Sequence, residues 1–509
     1  MSNINFNDIF FKKDDYDVLL IQPNMLQQIE EKYVDPVQIE YWNSLEKVGS
    51  LIGDLPIEPN WGLLYIAASL KENGIKTGLL DLHLYDYIKY TKTNEFIDES
   101  DIRKLLELKK FKLIGISSMT LSHNNALKIV QIAKEVNPQC KVILGGIHFS
   151  FLVEQVLTNN PLIDGVLAGE GEKSFVELFK QIDCRHAWNT IEGLSYRDSE
   201  GIHVSEGYPL IEDLDSLPYP DYDLWPEDVP LIPRIYTSRG CNGGCSYCVV
   251  NKFFCDKYRK RDIKSTLEEI EFLVNKYNVT DVLIGDLNFG ANLQDAMKFC
   301  DMLAESGLNL TWWCQTRPDG LNETLIEKMA KAGCKQIGIG IESVDDDILN
   351  SSKSQKSNSD LNTEELCRLI KKYGISVQGY FILGLPGENV KTALSTINCI
   401  DKLTKEGLVD VSHIAVMVPY PGTPIFNEAS KFEIEIVEHD FSKYLMNCDF
   451  MNAGVPVVRT KYLSNYQIYA LWQLALSTAA QNFNNRISFQ RNNMFNELDR
   501  FWDKIEADF

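Results

Sequence analysis

The sequence predicts an α/β protein: a doubly wound, Rossmann-like parallel sheet, then a partial (β/α)6 barrel, then a helical C-terminal region. Three observations predict this order. Short apolar runs alternate with helical stretches between residues 17 and 181, a proline- and aspartate-rich stretch follows, and the alternation resumes between residues 235 and 418. At 509 residues the chain is also too long for one ordinary hydrophobic core, so we expect two or three domains.

The first domain is predicted from buried strands and the helices between them. Residues 17–23 are mostly apolar and end in a proline, which is typical of a strand buried on both faces. A helix over residues 63–72 is opened by Pro59-Asn-Trp-Gly62 and closed by Asn73-Gly74. Further strands are predicted at residues 77–80, 113–118, 141–146 and 165–169, and further helices at residues 124–135, 152–157 and 172–181.

Small and polar residues lie at the carboxyl ends of these strands. Ligands of parallel sheets bind beyond those ends, and residues without bulky side chains let a large or phosphorylated ligand approach the backbone. The candidate contacts for a cofactor-sized ligand are therefore Asp81, Ser117, Ser118, Gly145, Gly146, Glu170 and Gly171.

The connection between the two domains has its own composition. Residues 192–205 predict a β-hairpin with its turn at residues 198–201, and residues 213–226 are rich in proline and aspartate. Because prolines bar helices and central strands, that stretch predicts an extended interdomain linker. We therefore expect a first domain with an N-terminal extension at residues 1–212, a linker at 213–233, a barrel at 234–425 and a helical region at 426–509.

Three cysteines follow the first predicted strand of the second domain. Cys241, Cys245 and Cys248 have the spacing C-x3-C-x2-C on a glycine-rich turn. They can bind a [4Fe–4S] cluster through three thiolates, which leaves one iron without a protein ligand, as catalysis needs. Two alternatives stay open: a zinc site completed by Cys255 or a distant histidine, and three buried structural thiols.

The barrel is predicted from six strands, at residues 235–237, 281–285, 310–317, 336–342, 376–384 and 411–418. Such barrels place their chemistry at the carboxyl ends of the strands. Alternation along the fourth strand places Gln336, Gly338, Gly340 and Glu342 on one face, where we expect a ligand to fill the space beside the glycines. His413 and Cys314 are single residues within strands and predict core packing, and residues 466–480 predict a helix.

These residues resemble a known family. The cysteine loop, with Tyr247 before its last cysteine, resembles that of the radical S-adenosylmethionine (SAM) family. The segments Pro59-x-x-Gly62, Gly145-Gly146-x-His148 and Gly169-Glu-Gly-Glu172 resemble the cobalamin-binding domain that precedes many radical SAM barrels. The resemblance implies a [4Fe–4S] cluster, SAM bound at its open iron and cleaved to a 5′-deoxyadenosyl radical, and a cobalamin cofactor whose predicted contacts then include Gly62.

The resemblance also implies the contacts of each cofactor. Glu342 is expected to accept hydrogen bonds from the ribose of SAM, and Arg317 to pair with the SAM carboxylate; the structural alternative is an ion pair between Arg317 and Glu342. The full set of predicted SAM contacts is Tyr247, Asp286, Arg317, Glu342, Ser343, Gln378 and Gly384. The cobalt-ligating Asp-x-His-x-x-Gly loop is missing, because Tyr85-Asp86 follow Asp81-Leu-His83, so no residue is predicted to bind the lower face of cobalt.

The function implied is that of a cobalamin-dependent radical SAM enzyme that methylates an unactivated carbon of a lipid, natural product or peptide. The alternatives are a cyclisation, ring rearrangement or anaerobic oxidation with the same cofactors, and, from another class, a non-catalytic iron–sulfur or cobalamin sensor. A methylthiotransferase would need more cysteines before the loop than Cys140 and Cys184. An electron donor such as flavodoxin or ferredoxin is the expected protein partner.

Composition bounds the partners and the compartment. The formal net charge of −22 argues against nucleic acid or an anionic membrane as a partner, and the one compact basic run, Lys257 to Arg261, is interpreted as a solvated loop. Twelve cysteines are too sparse for a disulfide scaffold and favour a reducing compartment. Without a signal peptide or an apolar run of about 20 residues, we expect a cytoplasmic protein without a transmembrane segment.

Overall fold

The computed structural model describes residues 15–24, 58–93, 95–227, 229, 231–352, 362–444 and 456–483. This part of the chain forms two compact units, whose boundary falls between Leu231 and Ile232. Among the described residues, none of the helices combines the length and the apolar composition that crossing a bilayer requires.

The first unit is built on a seven-stranded sheet in the order β2-β1-β3-β4-β5-β6-β7. The first five strands in this order are parallel, and the last two are antiparallel. The strands are β1 Val18–Gln22, β2 Thr77–Asp81, β3 Leu113–Ser117, β4 Lys141–Gly145, β5 Gly165–Leu167, β6 Leu194–Arg197 and β7 Ile202–His203. Nearly every strand residue of β1 to β5 is buried, as continuous apolar runs require. The predicted α/β class is therefore confirmed.

Seven helices of the first unit are described: α1 Trp61–Glu72, α2 Leu82–Thr93, α3 Glu99–Glu107, α4 His123–Val136, α5 Ile147–Ser150, α6 Val153–Asn159 and α7 Glu172–Lys180. Three of them, α2, α3 and the short α5, were not predicted. Helix α2 follows β2 without a connecting loop, because the Asp81 carboxylate accepts a hydrogen bond from the Leu84 amide at 2.9 Å. Helix α3 begins with a capping box between Asp98 and Asp101, a signal that the sequence carries.

The predicted linker differs from the expectation of an extended segment. It contains two short 3-10 turns, Leu214–Ser216 and Tyr222–Leu224, and belongs to the first unit. The Asp221 amide donates to the Leu64 carbonyl of α1, and the Tyr222 ring packs 6.2 Å from the Trp61 ring. The aromatic residues between the prolines supply apolar area that the first unit buries.

The second unit is built on a six-stranded parallel sheet in the sequential order β8-β11-β12-β13-β14-β15. Its strands are β8 Arg234–Ile235, β11 Asp281–Ile284, β12 Thr311–Thr316, β13 Cys334–Glu342, β14 Ser376–Leu383 and β15 Val411–Val416. These are the six predicted strands in a partial barrel. A short antiparallel ribbon, β9 Ser238–Arg239 with β10 Arg259–Lys260, follows β8 and encloses the cysteine loop.

The helices of the second unit are α8 Val250–Phe253, α9 Ile263–Tyr277, α10 Leu293–Glu305, α11 Glu323–Lys331, α12 Asp346–Ser352, α13 Thr363–Lys372, α14 Val390–Lys405, α15 Pro424–Asn427 and α16 Asn465–Phe483. Helix α16 contains the predicted helix and is anchored to β15 through the Trp472 indole, which donates to the Ile414 carbonyl at 2.8 Å. The C-terminal region also contains a ribbon that was not predicted, β16 Ile434–Ile436 with β17 Val458–Thr460. The further helix expected near the C-terminus falls on residues 484–509, outside the described residues.

Candidate functional site

The cysteine loop lies between β9 and β10, just beyond the carboxyl end of β8. Its first residue follows Gly240, whose φ of +87° places it in the left-handed region. A Cβ at this position would overlap the carbonyl oxygen of Lys257, so the chain can close the loop here only with glycine. The closure places the cysteines at the end of the barrel where the chemistry of this architecture occurs.

The three cysteines are half-buried around a tight turn. The Gly243 amide donates to Cys241 Sγ at 3.3 Å, and a Cβ on Gly243 would lie 3.3 Å from Cys241 Sγ and 3.8 Å from Cys245 Sγ. Both sulfurs therefore face the space beside this glycine. Burial raises the pKa of Cys241 and raises that of Cys248 to about 12, so a metal must displace their protons when it binds.

The donor set fits an iron–sulfur cluster. Three thiols with a backbone N–H directed at one sulfur are the ligands and outer contacts that such clusters use. In the described part of the chain, no three His, Cys, Asp or Glu side chains converge as ligands of one metal ion. Cys255, which the zinc alternative would recruit, lies beyond α8 and is exposed.

Arg317 lies directly against the cysteine loop. Its Nη1 is 3.8 Å from Cys245 Sγ, while its Nε and Nη2 each donate to Asp319 at 2.9 Å. The carboxylate partner of Arg317 is therefore Asp319, not the Glu342 of the structural alternative. The predictions missed Asp319, which follows Arg317 by two residues in a turn that Pro318 begins.

Asn288 connects the loop to the end of β12. Its Oδ1 accepts from the Arg317 amide at 3.0 Å, and its Nδ2 donates to Asn242 Oδ1 in the cysteine loop at 3.1 Å. The side chain is buried, so its amide has little competition from water. The sequence-based prediction missed Asn288, although it lies two residues after Asp286 at the end of β11.

Asp286 is placed beneath the cysteine loop. Its carboxylate accepts four hydrogen bonds, two from the backbone amides and two from the hydroxyls of Thr237 and Ser238. Burial raises its pKa, and these donors oppose the shift. The structure gives Asp286 the role of fixing the segment before the cysteines, and its predicted contact with SAM stays a prediction.

Glu342 ends β13 in an unusual conformation. Its φ is +66°, and the register between β13 and β14 shifts between Gly340 and Glu342. Left-handed conformations of non-glycine residues at strand irregularities cost energy and are concentrated at functional sites. Burial and the negative charges of Glu342 and Cys245 raise the pKa of Tyr247. Glu342 and Tyr247, both predicted SAM contacts, therefore interact electrostatically, and their contacts with SAM stay predictions.

The inner face of β13 corrects one expectation. A Cβ on Gly338 would lie 2.8 Å from the Tyr380 ring, and a Cβ on Gly340 would lie 2.8 Å from Oε1 of Glu342. The space beside the two glycines is therefore filled by side chains of the protein, not left for a ligand. Tyr380 crosses β13 to reach β12, where Gln315 Nε2 donates to its hydroxyl at 2.7 Å.

Gln378 belongs to a buried chain of hydrogen bonds across three strands. It accepts from Gln336 Nε2 at 2.8 Å, and its own Nε2 donates to His413 Nε2 at 2.6 Å. His413 was predicted as core packing; it is buried, but it also belongs to a polar chain that sequence reasoning missed.

Ser343 and Gly384 lie next to helices. The Ser343 hydroxyl accepts from the Asp345 amide at 3.2 Å and lies 3.3 Å from the Thr396 hydroxyl of α14. A Cβ on Gly384 would lie 3.2 Å from the Ile468 side chain of α16, and the Gly384 amide donates to the carboxylate of the buried Glu388. Both residues have structural roles, and their SAM contacts stay predictions.

The first unit brings four predicted cobalamin contacts together. The Ser118 amide donates to the Gly145 carbonyl at 3.0 Å, and a Cβ on Gly146 would lie 2.9 Å from Ser117 Oγ. These residues form a small, polar edge where β3 and β4 end. Asn60 reaches the same edge, since its Nδ2 lies 3.5 Å from Ser117 Oγ. Asn60 was missed, although its position as N-cap of α1 could be inferred from the sequence.

The other predicted cobalamin contacts have different surroundings. Asp81 is buried as the cap of α2, and burial raises its pKa to about 7. Glu170 accepts a hydrogen bond from the Ile211 amide at 2.7 Å. Gly171 directly precedes α7, and a Cβ on it would lie 3.0 Å from the Ile66 side chain. Gly62 is exposed in the first turn of α1. Their contacts with cobalamin stay predictions.

Two histidines lie near the carboxyl ends of β3 and β4. His148 Nδ1 is 3.2 Å from Thr120 Oγ1, and its ring lies 4.9 Å from that of His123. Burial lowers the pKa of His148 to about 3, so its imidazole is neutral. The pattern around Gly145 and Gly146 included His148 but carried no signal for His123.

Two protein-family models match separate parts of the chain. The model described as the B12 binding domain matches residues 55–179, and the model described as the radical SAM superfamily matches residues 235–400. The first range covers α1 to α6, all but the last residue of α7, and the parallel strands β2 to β5. The second covers the cysteine loop and the barrel strands as far as β14.

Related proteins match most of the chain. A protein of Pyrococcus horikoshii named an uncharacterized methyltransferase is 28% identical over 423 residues, which are 82% of this chain and 86% of that protein. The anaerobic magnesium-protoporphyrin IX monomethyl ester cyclase of Rubrivivax gelatinosus is 29% identical over 439 residues, which are 82% of this chain and 75% of that protein.

Solved structures share the architecture. The radical S-adenosylmethionine methyltransferase TsrM from Kitasatospora setae, solved with cobalamin and a [4Fe–4S] cluster bound, superposes with a TM-score of 0.66 at 16% identity, over 92% of this chain and 89% of that chain. The cobalamin-dependent S-adenosylmethionine radical enzyme OxsB, solved with aqua-cobalamin and S-adenosylmethionine, gives 0.57 at 17% identity, over 82% of this chain and 56% of that chain. At these identities the similarity establishes the fold.

Proposed function

We propose an activity for this chain from one premise: it belongs to the radical SAM enzymes that carry a B12-binding domain. From that premise we propose a cobalamin-dependent radical SAM methyltransferase that acts on an unactivated carbon of a small molecule, lipid or peptide. A methyltransferase is also what the names of the Pyrococcus horikoshii relative and of TsrM state for those proteins.

The observation that carries the proposal is the set of three thiols at the mouth of the barrel. Cys241, Cys245 and Cys248 lie on one loop beyond the carboxyl end of β8, Tyr247 belongs to the same loop, and the charge of Glu342 acts on both Tyr247 and Cys248. A cluster with three cysteine ligands keeps one iron open for a substrate. A bound [4Fe–4S] cluster would supply the electron that cleaves SAM to a 5′-deoxyadenosyl radical, and bound cobalamin would carry the methyl group.

The protein's own groups have separate tasks in this proposal. The three thiolates hold the cluster, and Asp286 and Gly240 fix the loop that carries them. The Glu342 carboxylate accepts hydrogen bonds from the ribose hydroxyls of SAM. Its strained backbone conformation at the end of β13 orients the carboxylate for this contact. In the first unit, the small edge of Ser117 and Gly146 gives a cofactor close access to the backbone.

The test is anaerobic incubation of the reconstituted protein with SAM, dithionite and hydroxocobalamin, followed by quantification of nucleoside products. Methylation consumes SAM twice, so we expect both 5′-deoxyadenosine and S-adenosylhomocysteine. A Cys245→Ala variant, which loses one cluster ligand, is the control and should form neither product. A protein with a fully loaded cluster that forms neither product would contradict the enzymatic role.

A cyclase is the second candidate, because the Rubrivivax gelatinosus relative that matches 82% of this chain carries that name. A cyclisation or oxidation abstracts hydrogen without transferring a methyl group. The same incubation therefore separates the two candidates. 5′-Deoxyadenosine without S-adenosylhomocysteine would favour the cyclase.

We further propose that the electron comes from a small carrier protein, flavodoxin or ferredoxin. Cleavage of SAM to a radical takes up one electron for each event, which an enzyme of this class must obtain from outside the chain. Replacing dithionite by a reduced flavodoxin should sustain formation of 5′-deoxyadenosine. If dithionite supports product formation but none of the reduced flavodoxins or ferredoxins tested does, this partner class would be contradicted.

A further inference from the structure

We propose that Arg317, held in place by Asp319, sets the reduction potential of the iron–sulfur cluster bound by Cys241, Cys245 and Cys248. This inference rests on the proposed function, since it presumes that the three thiols hold a redox-active cluster. It assigns to Arg317 a contact with the cluster ligands in place of the contact with the SAM carboxylate expected from the sequence.

The position of the guanidinium carries the inference. Nη1 of Arg317 lies 3.8 Å from Cys245 Sγ. The same nitrogen lies 2.9 Å from the point where a side chain on Gly243 would begin, and that point is 3.3 Å from Cys241 Sγ. The missing side chain of Gly243 is thus what admits a positive charge between two cluster ligands.

Arg317 is also held in this position from two directions. Its Nε and Nη2 donate to the two carboxylate oxygens of Asp319 at 2.9 Å each, a fork-to-fork pair that fixes the plane of the guanidinium. Its backbone amide donates to Asn288, which in turn holds Asn242 of the cysteine loop. The charge and the loop therefore keep one geometry relative to each other.

The pairing leaves little of Arg317 for a second carboxylate. A carboxylate is bound in bidentate form through two parallel N–H groups of the guanidinium. Asp319 already occupies the edge formed by Nε and Nη2, and Nη1 is directed at sulfur. Recognition of the SAM carboxylate therefore has to come from other residues.

A fixed positive charge at this place favours the reduced cluster. Reduction transfers one electron from the reductant to the cluster, which gains one negative charge while its bonds to the protein stay intact. Net charge and hydrogen bonds to the sulfur ligands are among the factors that set the potential of such clusters. The Arg317 and Asp319 side chains are only 13% and 22% exposed, so solvent screens their charges weakly.

The two members of the pair predict opposite shifts. Arg317→Gln removes the positive charge and should lower the potential, whereas Asp319→Asn removes the negative charge, keeps an oxygen for Nε, and should raise it. We expect each substitution to change the ratio of reduced to oxidised cluster at a fixed potential about tenfold, which is about 59 mV for one electron. A general loss of structure would move both variants in the same direction.

The measurement is a potentiometric titration of the full-length reconstituted protein with dithionite, without SAM. The electron paramagnetic resonance signal of the reduced cluster reports the fraction reduced at each potential. Arg368→Gln is the matched control, because Arg368 is an exposed arginine on α13 that pairs with Glu364 and its loss changes the net charge equally. This variant should keep the wild-type potential. If Arg317→Gln assembles no cluster, Arg317→Lys, which retains the charge without the fork, should keep a potential close to that of the wild type, and Asp319→Asn tests the sign independently.

A second measurement separates this inference from the expected SAM contact. The Kd of SAM for Arg317→Gln should stay within twofold of the wild-type value. An unchanged potential together with SAM binding weakened tenfold or more would overturn the inference and restore the carboxylate role. If the two variants shift the potential in opposite directions but the protein cleaves no SAM, the inference stands and the proposed function fails. If the protein forms the products but neither variant shifts the potential, the proposed function stands and the inference fails.

Discussion

Single residues fix the cysteine loop more tightly than its glycine-rich composition implies. Gly240 closes the loop against the carbonyl of Lys257, and Asp286 anchors Thr237 and Ser238 just before it. Each contact joins a residue beside the cysteines to a rigid strand or to the β9–β10 ribbon. At the scale of the residue, the site therefore depends on positions that carry no ligand themselves.

Replacing Gly240 by alanine tests this dependence. The new Cβ would overlap the Lys257 carbonyl and impose a left-handed conformation, so we expect a loss of stability of about 3 kcal/mol and poor cluster retention. Iron content and the thermal midpoint measure the effect. Gly374→Ala is the control, because Gly374 also has a positive φ but has no atom within 4 Å of a Cβ. It should cost only about 1 kcal/mol, and equal losses in both variants would rule out the overlap as the cause.

Glu388 is a second residue with a measurable consequence. It is fully buried after β14, and burial raises its pKa from 4.5 to about 8. Between these values the unfolded chain releases the proton and the folded chain keeps it, so the free energy of unfolding falls as pH rises, by at most about 1.4 kcal/mol per pH unit.

Glu388→Gln replaces this titrating carboxyl group by an amide, so the free energy of unfolding of the variant should depend less on pH. The difference between the urea midpoints at pH 5.5 and pH 8 is then expected to be smaller in the variant than in the wild type. Glu268→Gln, on the exposed face of α9, is the control and should keep the wild-type slope. An unchanged slope in Glu388→Gln would show that the carboxylate already ionises in the folded protein at neutral pH.

At the scale of the element, the segment that was expected to be a linker behaves as part of the first unit. The Tyr222 side chain is 3% exposed and packs on Trp61 of α1, and Lys71 of the same helix pairs with Asp221 at 2.6 Å. These contacts attach the segment to α1. Its packing can therefore be tested by one substitution.

Tyr222→Ala should destabilise the first unit by about 3 kcal/mol, because it removes a buried aromatic ring. Hydrogen exchange of the α1 amides measures this unit directly and should accelerate, while exchange in β12 and β13 should stay unchanged. Asp223→Ala, a neighbouring change at a half-exposed side chain, is the control. Protection of α1 that is equal in all three proteins would mean that the segment does not contribute to this packing.

Elements with a strong local signal could be predicted and those that depend on neighbours could not. The strands β1 to β5 and the six barrel strands are short apolar runs, and the structure confirms them. Helix α2 was missed because it follows β2 directly and its sequence from Leu82 mixes apolar and polar residues without a clear start. The inner face of β13 was misinterpreted, because one strand cannot reveal that Tyr380 of the next strand fills the space above Gly338.

The candidate site shows the same division. The spacing of Cys241, Cys245 and Cys248 is local and was readily found. Asn288 acts through partners on other elements, and Asp319 pairs with Arg317 two residues away, whose guanidinium the sequence-based prediction assigned to SAM. For Asp286 the structure adds a role that the sequence did not indicate, because its four hydrogen bonds hold the segment before the cysteines, while its contact with SAM stays a prediction.

At the scale of the whole molecule, two compact units carry separate candidate cofactor sites. Each unit has its own parallel sheet, and the predicted contacts of the cluster and of cobalamin lie at the strand ends of different sheets. A substitution that destroys one of these sites should therefore leave the other site able to bind its cofactor.

Two substitutions test this independence in the full-length protein. Cys245→Ala should abolish the iron–sulfur absorbance near ~400 nm and retain cobalamin. Gly146→Ala should weaken cobalamin binding, because its Cβ would lie 2.7 Å from the Ser118 backbone, and retain the cluster. Cys255→Ala, at an exposed thiol, is the control and should keep both cofactors. Joint loss of both cofactors in either variant would contradict the separation.

The anchoring of the cysteine loop also has a consequence for how the protein recovers after exposure to oxygen. The ribbon of β9 and β10, the Gly240 contact and the four bonds to Asp286 are all made by the polypeptide itself. When oxygen destroys the inorganic part, the three thiols should consequently stay in position, ready to be refilled. We expect damaged molecules to regain activity when iron, sulfide and a thiol reductant are supplied, so that a cell can repair this protein without synthesising it again.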